Sequence, residues 1–184
     1  MVSGYLDDEL IHIIVNHWPS RSGGEAKSRP LREKAAYQNT KIITQVREKD
    51  PDAKILIMGD FNDDPTNSSF KKVLKTKAKK KNVEDLDIYN PYEDMYRRGF
   101  NTLGYRDNIN LFDMVLISSP LLDKGKKDFS TYKMYQAKIF NKRFLTGKKG
   151  QFKGYPFRSF SYGGYTGGYS DHYPVYMYLI KEKK

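Results

Sequence analysis

Apolar residues gather in a few short runs separated by polar, turn-forming stretches, and the spacing inside each run predicts an element. The densest run is Ile55-Leu56-Ile57-Met58, closed by Gly59 and followed by Asp60-Phe61-Asn62-Asp63-Asp64-Pro65. Four consecutive apolar residues without alternation fit a strand covered on both faces. Gly59 lets the backbone bend where that strand ends. Residues 10–17 predict a second strand, apolar almost throughout and stopped by Pro19. Between the two, Leu31, Ala35, Gln38, Ile42, Gln45 and Val46 follow roughly helical spacing. Ser28-Arg29-Pro30 fits a helix start and Asp50-Pro51-Asp52 a stop, so a helix is expected over residues 30–49. Strand, helix, strand is the order of an α/β layered fold.

The remaining pattern is weaker. Residues 1–5 predict a strand and 6–9 a turn. Pro65-Thr66-Asn67-Ser68 can cap a short helix reaching residue 74. Residues 83–99 predict loop with short pieces, and 100–107 a short strand. Residues 110–118 predict a strand whose apolar run is interrupted by Asp113, and 120–122 a turn or short helix. Residues 173–180 predict a final strand, and 181–184 a solvated tail. Residues 124–169 are expected to be a long irregular stretch. Its part from 147 to 168 mixes Gly, Tyr, Phe and Lys/Arg, too aromatic for a flexible linker, and is expected to be an ordered loop packed by its rings. Residues 1–184 are expected to form a single domain.

Composition sharpens this in three ways. The formal charge of +11 with 15 tyrosines fits a polyanionic partner such as nucleic acid, and equally a lysine-rich solvated surface. The seven lysines in residues 71–81 carry the same two readings. The absence of cysteine excludes disulfides and thiolate metal sites. No apolar run approaches the ~18 residues of a membrane span. The opening residues lack the regions of a signal peptide and look like the middle of a domain, so the chain is expected to start part-way through a fold.

Three polar sets stand at predicted strand ends: Asn16 with His17, Asp60 with Asn62, and Asp171 with His172. Asp113 stands within a fourth strand, where a carboxylate costs stability unless it is paired. Loops at strand ends commonly carry chemistry. An acid and an amide two residues apart, as Asp60 and Asn62 are, can serve as base or metal ligand and as a fixed dipole on an oxyanion. Asp-Phe-Asn-Asp-Asp-Pro is also simply a good turn.

Four segments resemble the endonuclease/exonuclease/phosphatase superfamily, which includes DNase I-like nucleases, abasic-site nucleases, inositol polyphosphate phosphatases and neutral sphingomyelinases. They are Asn16-His17-Trp18, Gly59-Asp60-Phe61-Asn62, residues 110–118, and Ser170-Asp171-His172-Tyr173-Pro174-Val175. The resemblance implies a four-layered α/β/β/α sandwich, of which this chain supplies the C-terminal portion, mainly one mixed sheet with flanking helices. It implies phosphate-ester hydrolysis with Mg²⁺ or Mn²⁺. By the same resemblance Asp60 orients or deprotonates the attacking water and also binds metal, while Asn62 donates to a phosphoryl oxygen. Asp113 holds His172, which stabilises or protonates the transition state. Asp171 binds metal, and His17 is a second phosphate-binding group. Asn16 contacts substrate or holds its loop, and Tyr105 and Arg106 contact substrate or serve structural packing. The family's other half supplies an Asn and a metal-binding Glu, and Glu9, Glu25 and Glu33 do not stand in matching contexts. The expectation is therefore a chain completed by the missing N-terminal half or by a homodimer partner. The alternative is an inactive fragment or a phosphate- or polyanion-binding module.

Overall fold

The parallel strand–helix–strand unit expected from the sequence forms the centre of the molecule. In chain order the elements are β1 (Val2–Leu6), β2 (Glu9–His17), α1 (Glu25–Arg47), β3 (Lys54–Asp60), β4 (Ile88–Tyr89), α2 (Tyr92–Arg97), β5 (Leu103–Tyr105), β6 (Asn108–Asn110), β7 (Asp113–Ser118), β8 (Lys133–Ile139), β9 (Phe160–Ser161), β10 (Gly164–Tyr165) and β11 (Val175–Ile180). The computed structural model describes residues 1–105 and 108–183. One mixed sheet has the order β1-β2-β3-β7-β4, with β2 and β3 parallel and the other neighbours antiparallel. The architecture is an α/β sandwich.

Side chains alternate across a strand, so β2 sorts its residues between two faces. Asn16, with Ile14 and His12, lies on the face that meets α1, where its Oδ1 accepts from Asn39 Nδ2 at 2.7 Å. Glu9 lies on the opposite face, with Ile11, Ile13 and Val15, and there accepts from the Tyr132 backbone N–H. On that side β8 and β11 form an antiparallel ladder that packs against β7. The ladder covers only part of the face: Val15 is 67% exposed. Between the layers sit Ile55, Ile57, Met114, Leu116 and Ile117, all inaccessible to solvent.

Several expectations are corrected. The helix begins at Glu25, so Pro30 lies inside it and not at its start; Ser28 donates back to the Gly24 and Glu25 carbonyls in its first turn. Its buried stripe is Ser28, Arg32, Ala36, Asn39, Ile43 and Val46, one position beyond the expected one, and Leu31 is 52% exposed. The stripe could shift because Arg32 finds a buried counter-charge in Asp63. The short helix after Pro65 is a π-helical turn, Ser69–Val73. Asp113 opens β7 and does not interrupt a longer strand, because Asn110 pairs in β6 and Leu111 and Phe112 lie between the two. Residues 124–169 are not irregular throughout. The strand β8 escaped notice because its ladder slips between Tyr178 and Leu179, leaving Tyr135 as an extra residue. Met134 and Ala137, three apart, are then both buried, and the period of two is lost. Lys181 is not a solvated tail residue: its ammonium pairs with Asp8 and Glu9.

Candidate active site

Strand register assembles the site. His17 of β2 pairs with Asp60 of β3, and Asp60 pairs with Asp113 of β7. Three adjacent strands thus end in one row, His17, Asp60, Asp113, at the same edge of the sheet. The loop before β11 then brings His172 onto the row, with Nδ1 2.7 Å from Asp113 Oδ2. Asp60, Asp113 and His172 offer donor atoms that all lie within 4.8 Å of one another. His17 is more open; its Nε2 stands 3.7 Å from Asp60 Oδ2, with 79% of the side chain exposed.

Local backbone chemistry makes the row possible. Gly59 has φ +136°, and a Cβ there would stand 1.9 Å from the Asn16 carbonyl oxygen. Only glycine lets β2 and β3 pair this closely at the step before Asp60. Asn62 also takes a positive φ, +50°, a conformation that asparagine tolerates better than most residues. Its backbone N–H donates to Asp60 Oδ1 at 2.9 Å, and its side-chain amide donates to the Trp18 carbonyl at 2.9 Å and to Asp60 Oδ2 at 3.3 Å. Phe61 packs its ring against Trp18 and Phe70, at 4.8 and 5.3 Å, and roots the loop in the core.

Electrostatics divide the row into roles. Burial pushes the Asp60 carboxyl up, and the neighbouring Asp113 adds to this against the opposing Asn62 N–H. For His172, burial favours the neutral ring, but the bond and charge of Asp113, with Asp60 and Asp171 behind it, prevail and raise its affinity for a proton. The His172 ring, with its proton affinity raised, thus stands beside a partly desolvated Asp60 carboxyl.

The other expected residues are placed as follows. Asn16 is tied into the fold: its Oδ1 accepts from Trp18 Nε1 at 2.9 Å as well as from Asn39. Asp171 lies outside the three-residue cluster, 4.0 Å from Arg158 Nη2 and largely exposed. Asn62, Asp171, Tyr105, Arg21 and Arg158 line one cleft of about 610 Å³ beside the row. Arg106 lies outside the described residues.

The supporting residues were not anticipated. Thr102 is fully buried; its Oγ1 accepts from the Phe112 and Asp113 N–H groups, and its carbonyl accepts from Tyr173 N–H at 2.7 Å. It therefore fixes both partners of the His172–Asp113 pair. Asp63 and Asp64, next to the loop, are buried and paired: Asp63 with Arg32 at 2.6 Å, Asp64 with Arg21 at 3.0 Å. Arg21 also donates to the Asn62 carbonyl at 3.0 Å and lies 4.4 Å over the Phe112 ring. The one signal in the sequence was the Asp63-Asp64 pair itself, two acids following a buried strand.

Residues 1–181 match the model of the endonuclease/exonuclease/phosphatase family. The chain belongs to this family. No curated protein matches the chain. Among solved structures, members of the same fold accompany it. SmcL is 18% identical with a TM-score of 0.50, over 94% of this chain and 55% of that one. A mannosyl-6-phosphatase of Bacteroides thetaiotaomicron VPI-5482 is 14% identical with a TM-score of 0.49, over 94% and 51%. A magnesium-bound mutant of the beta toxin of Staphylococcus aureus is 15% identical with a TM-score of 0.49, over 98% and 56%. This endonuclease/exonuclease/phosphatase chain thus spans about half the length of the solved structures it matches.

Proposed function

We propose that this chain carries the phosphoryl-contacting part of a divalent-metal-dependent phosphoesterase, which hydrolyses a phosphodiester or phosphomonoester by attack of water. The observation that supports it most is the His172–Asp113 pair facing Asp60 at the end of three strands. A phosphoester repels nucleophiles, so its hydrolysis needs charge neutralisation and a positioned water. Asp60 is placed to hold that water and take its proton; a raised carboxyl pKa makes it a better base. His172, kept protonated by Asp113, donates to a phosphoryl oxygen or to the leaving group. His17, exposed beside Asp60, is a second phosphate donor. The Asn62 amide reaches a phosphoryl oxygen by releasing the longer of its two bonds, the one to Asp60. Tyr105 then belongs to the substrate wall, and Asn16 to the support.

The donor set fits Mg²⁺ or Mn²⁺ in part. Asp60 is a desolvated carboxylate beside a second one, an arrangement that a cation relieves, and Asp171 offers a second oxygen ligand in the adjoining cleft. When bound, the cation supplies charge neutralisation at the phosphoryl group.

A second reading rests on the half-length match and on the exposed Val15 beside His17. In it the chain by itself is an inactive fragment or a phosphate-binding module, and a missing N-terminal half or a second copy of the chain covers the open face.

The test is hydrolysis of bis-para-nitrophenyl phosphate by the purified chain with Mg²⁺ or Mn²⁺, with and without EDTA, beside His172→Ala and Asp171→Ala. Turnover should vanish with EDTA and fall by about 10²–10⁴ in His172→Ala. Specific activity that rises with protein concentration would assign the completing part to a second copy. Turnover equal in wild type and His172→Ala would sink the phosphoesterase reading for this chain.

A further inference from the structure

Between Asp128 and Asp171 the sequence contains eight lysines and arginines, 12 Phe or Tyr residues, and no Asp or Glu. The structure turns this composition into a surface. The stretch around residues 142–169 is held by its backbone: Gly147 N–H donates to the Tyr155 carbonyl at 2.8 Å, Gly154 N–H to Gly147 at 2.9 Å, Phe157 N–H to Leu145 at 2.7 Å and Tyr169 N–H to Phe157 at 2.7 Å. Its rings touch mostly edge to face, as Phe144 does Tyr169 at 5.8 Å, and many remain in solvent. Phe144, Phe160, Tyr165 and Tyr169 are more than half exposed, and Tyr162 is 99% exposed. Among the described residues from 140 to 170, the exposed large apolar side chains are all rings.

Three adjoining clefts share one wall residue, Arg158. The first, about 610 Å³, reaches Asn62 and Asp171 beside the row. The second, about 100 Å³, is lined by Tyr105, Phe152, Tyr155 and Tyr162. The third, about 390 Å³, is lined by Phe144, Phe152 and Phe157 together with Lys148 and Lys149. The Arg158 guanidinium lies 5.3 Å over the Phe152 ring. Rings and cations line the same adjoining clefts, and flat bases joined by phosphates are a partner that suits both.

We propose that this path binds single-stranded nucleic acid, its rings stacking on bases and its cations tracking the backbone. An anionic membrane would also attract the cations, but concave clefts whose large apolar side chains are mainly rings, with Ile109 the one exposed aliphatic side chain among the described residues of their walls, suit a strand better than a bilayer. The path is distinct from the Asp60–Asp113–His172 cluster, and its occupancy requires neither metal nor turnover.

The test is fluorescence anisotropy of a labelled oligothymidylate of about 15 nucleotides in EDTA, where hydrolysis cannot contribute. Tyr162 is in solvent, so Tyr162→Leu keeps the fold and the apolar bulk but removes the ring. It should weaken binding about ten-fold. Lys148→Glu with Lys149→Glu should weaken it further. Lys80→Glu with Lys81→Glu makes the same charge change in the lysine run before β4, and should stay within about three-fold of wild type. Equal losses in the two charge-reversed proteins, or an unchanged Tyr162→Leu, would reduce the path to nonspecific charge and overturn the proposal. Tighter binding to phosphatidylserine vesicles that tolerates Tyr162→Leu would overturn it in favour of a membrane surface. Hydrolysis that fails while strand binding survives would sink the phosphoesterase reading and leave this one standing.

Discussion

Two loops meet at the cleft, and they are held by opposite means. The one after β3 is short and anchored by buried charge. Asp63 has Arg32 and Ser69 as partners, Asp64 has Arg21, Asn110 and the Leu111 N–H, and both acids are buried. The other, residues 142–169, is long, carries no acid, and leaves its rings and cations in solvent. The first fixes the backbone that carries Asp60 and Asn62, because its buried charges are held by specific partners. The second offers area and charge in place of a fixed geometry. Chemistry needs the former, whereas contact with an extended partner tolerates the latter.

Substitutions can break this contrast at graded points. The largest effect belongs to Gly59→Ala. The added Cβ meets the Asn16 carbonyl at 1.9 Å, so β2 and β3 must part, and a loss above about 4 kcal/mol or outright misfolding is expected from urea denaturation. Arg32→Ala comes next. It leaves the buried Asp63 carboxylate with Ser69 and the more distant Arg21, at 3.5 Å, with an expected cost of about 3–5 kcal/mol in the same measurement. Burial already pushes the Asp63 carboxyl up, and Asp63→Asn combined with Arg32→Met should recover part of that loss. If Arg32→Ala were as stable as wild type, the claim that charge anchors the first loop would fail.

A milder change is available through pH. Burial acts to raise the Glu9 carboxyl, but bonds from Lys54, Lys181 and the Tyr132 N–H outweigh it and hold Glu9 below its ordinary value. A lowered folded-state pKa gives stability that is complete above the unfolded value and is lost as pH falls through the folded one. Between about pH 6 and about pH 3 the wild type should therefore lose more stability than Glu9→Gln, by urea midpoints at each pH. Smallest of all is Tyr162→Leu, expected to leave thermal stability within about 0.5 kcal/mol despite its effect on strand binding.

What could be read beforehand follows the same division. His17, Asp60, Asp113 and His172 were legible because each sits at or beside a strand end, where a polar residue interrupts a strong apolar pattern. The register that aligns them was not, since it depends on Gly59 admitting β2 at close range. The phase of α1 was misjudged because Arg32 occupies an inward position that only Asp63 makes tolerable, and nothing local to the helix announces a partner 31 residues away. Thr102 was invisible for a similar reason: a buried hydroxyl serving two backbone N–H groups has no pattern. The aromatic–basic stretch was read as a loop packed by its rings; backbone bonds run through it as well, and several of its rings stand in solvent.

The Glu9 clamp also has a kinetic meaning. It gathers Lys54 from 45 residues away and Tyr132 from 123, while its neighbour Asp8 takes Lys181 from 173. Contacts of such sequence separation form only after much of the intervening chain is in place, because loop closure must precede them. The β1–β2 hairpin, local in itself, is thus locked to the rest of the molecule late. Folding should be slow for a domain of this size, and the clamp should act mainly as a brake on unfolding.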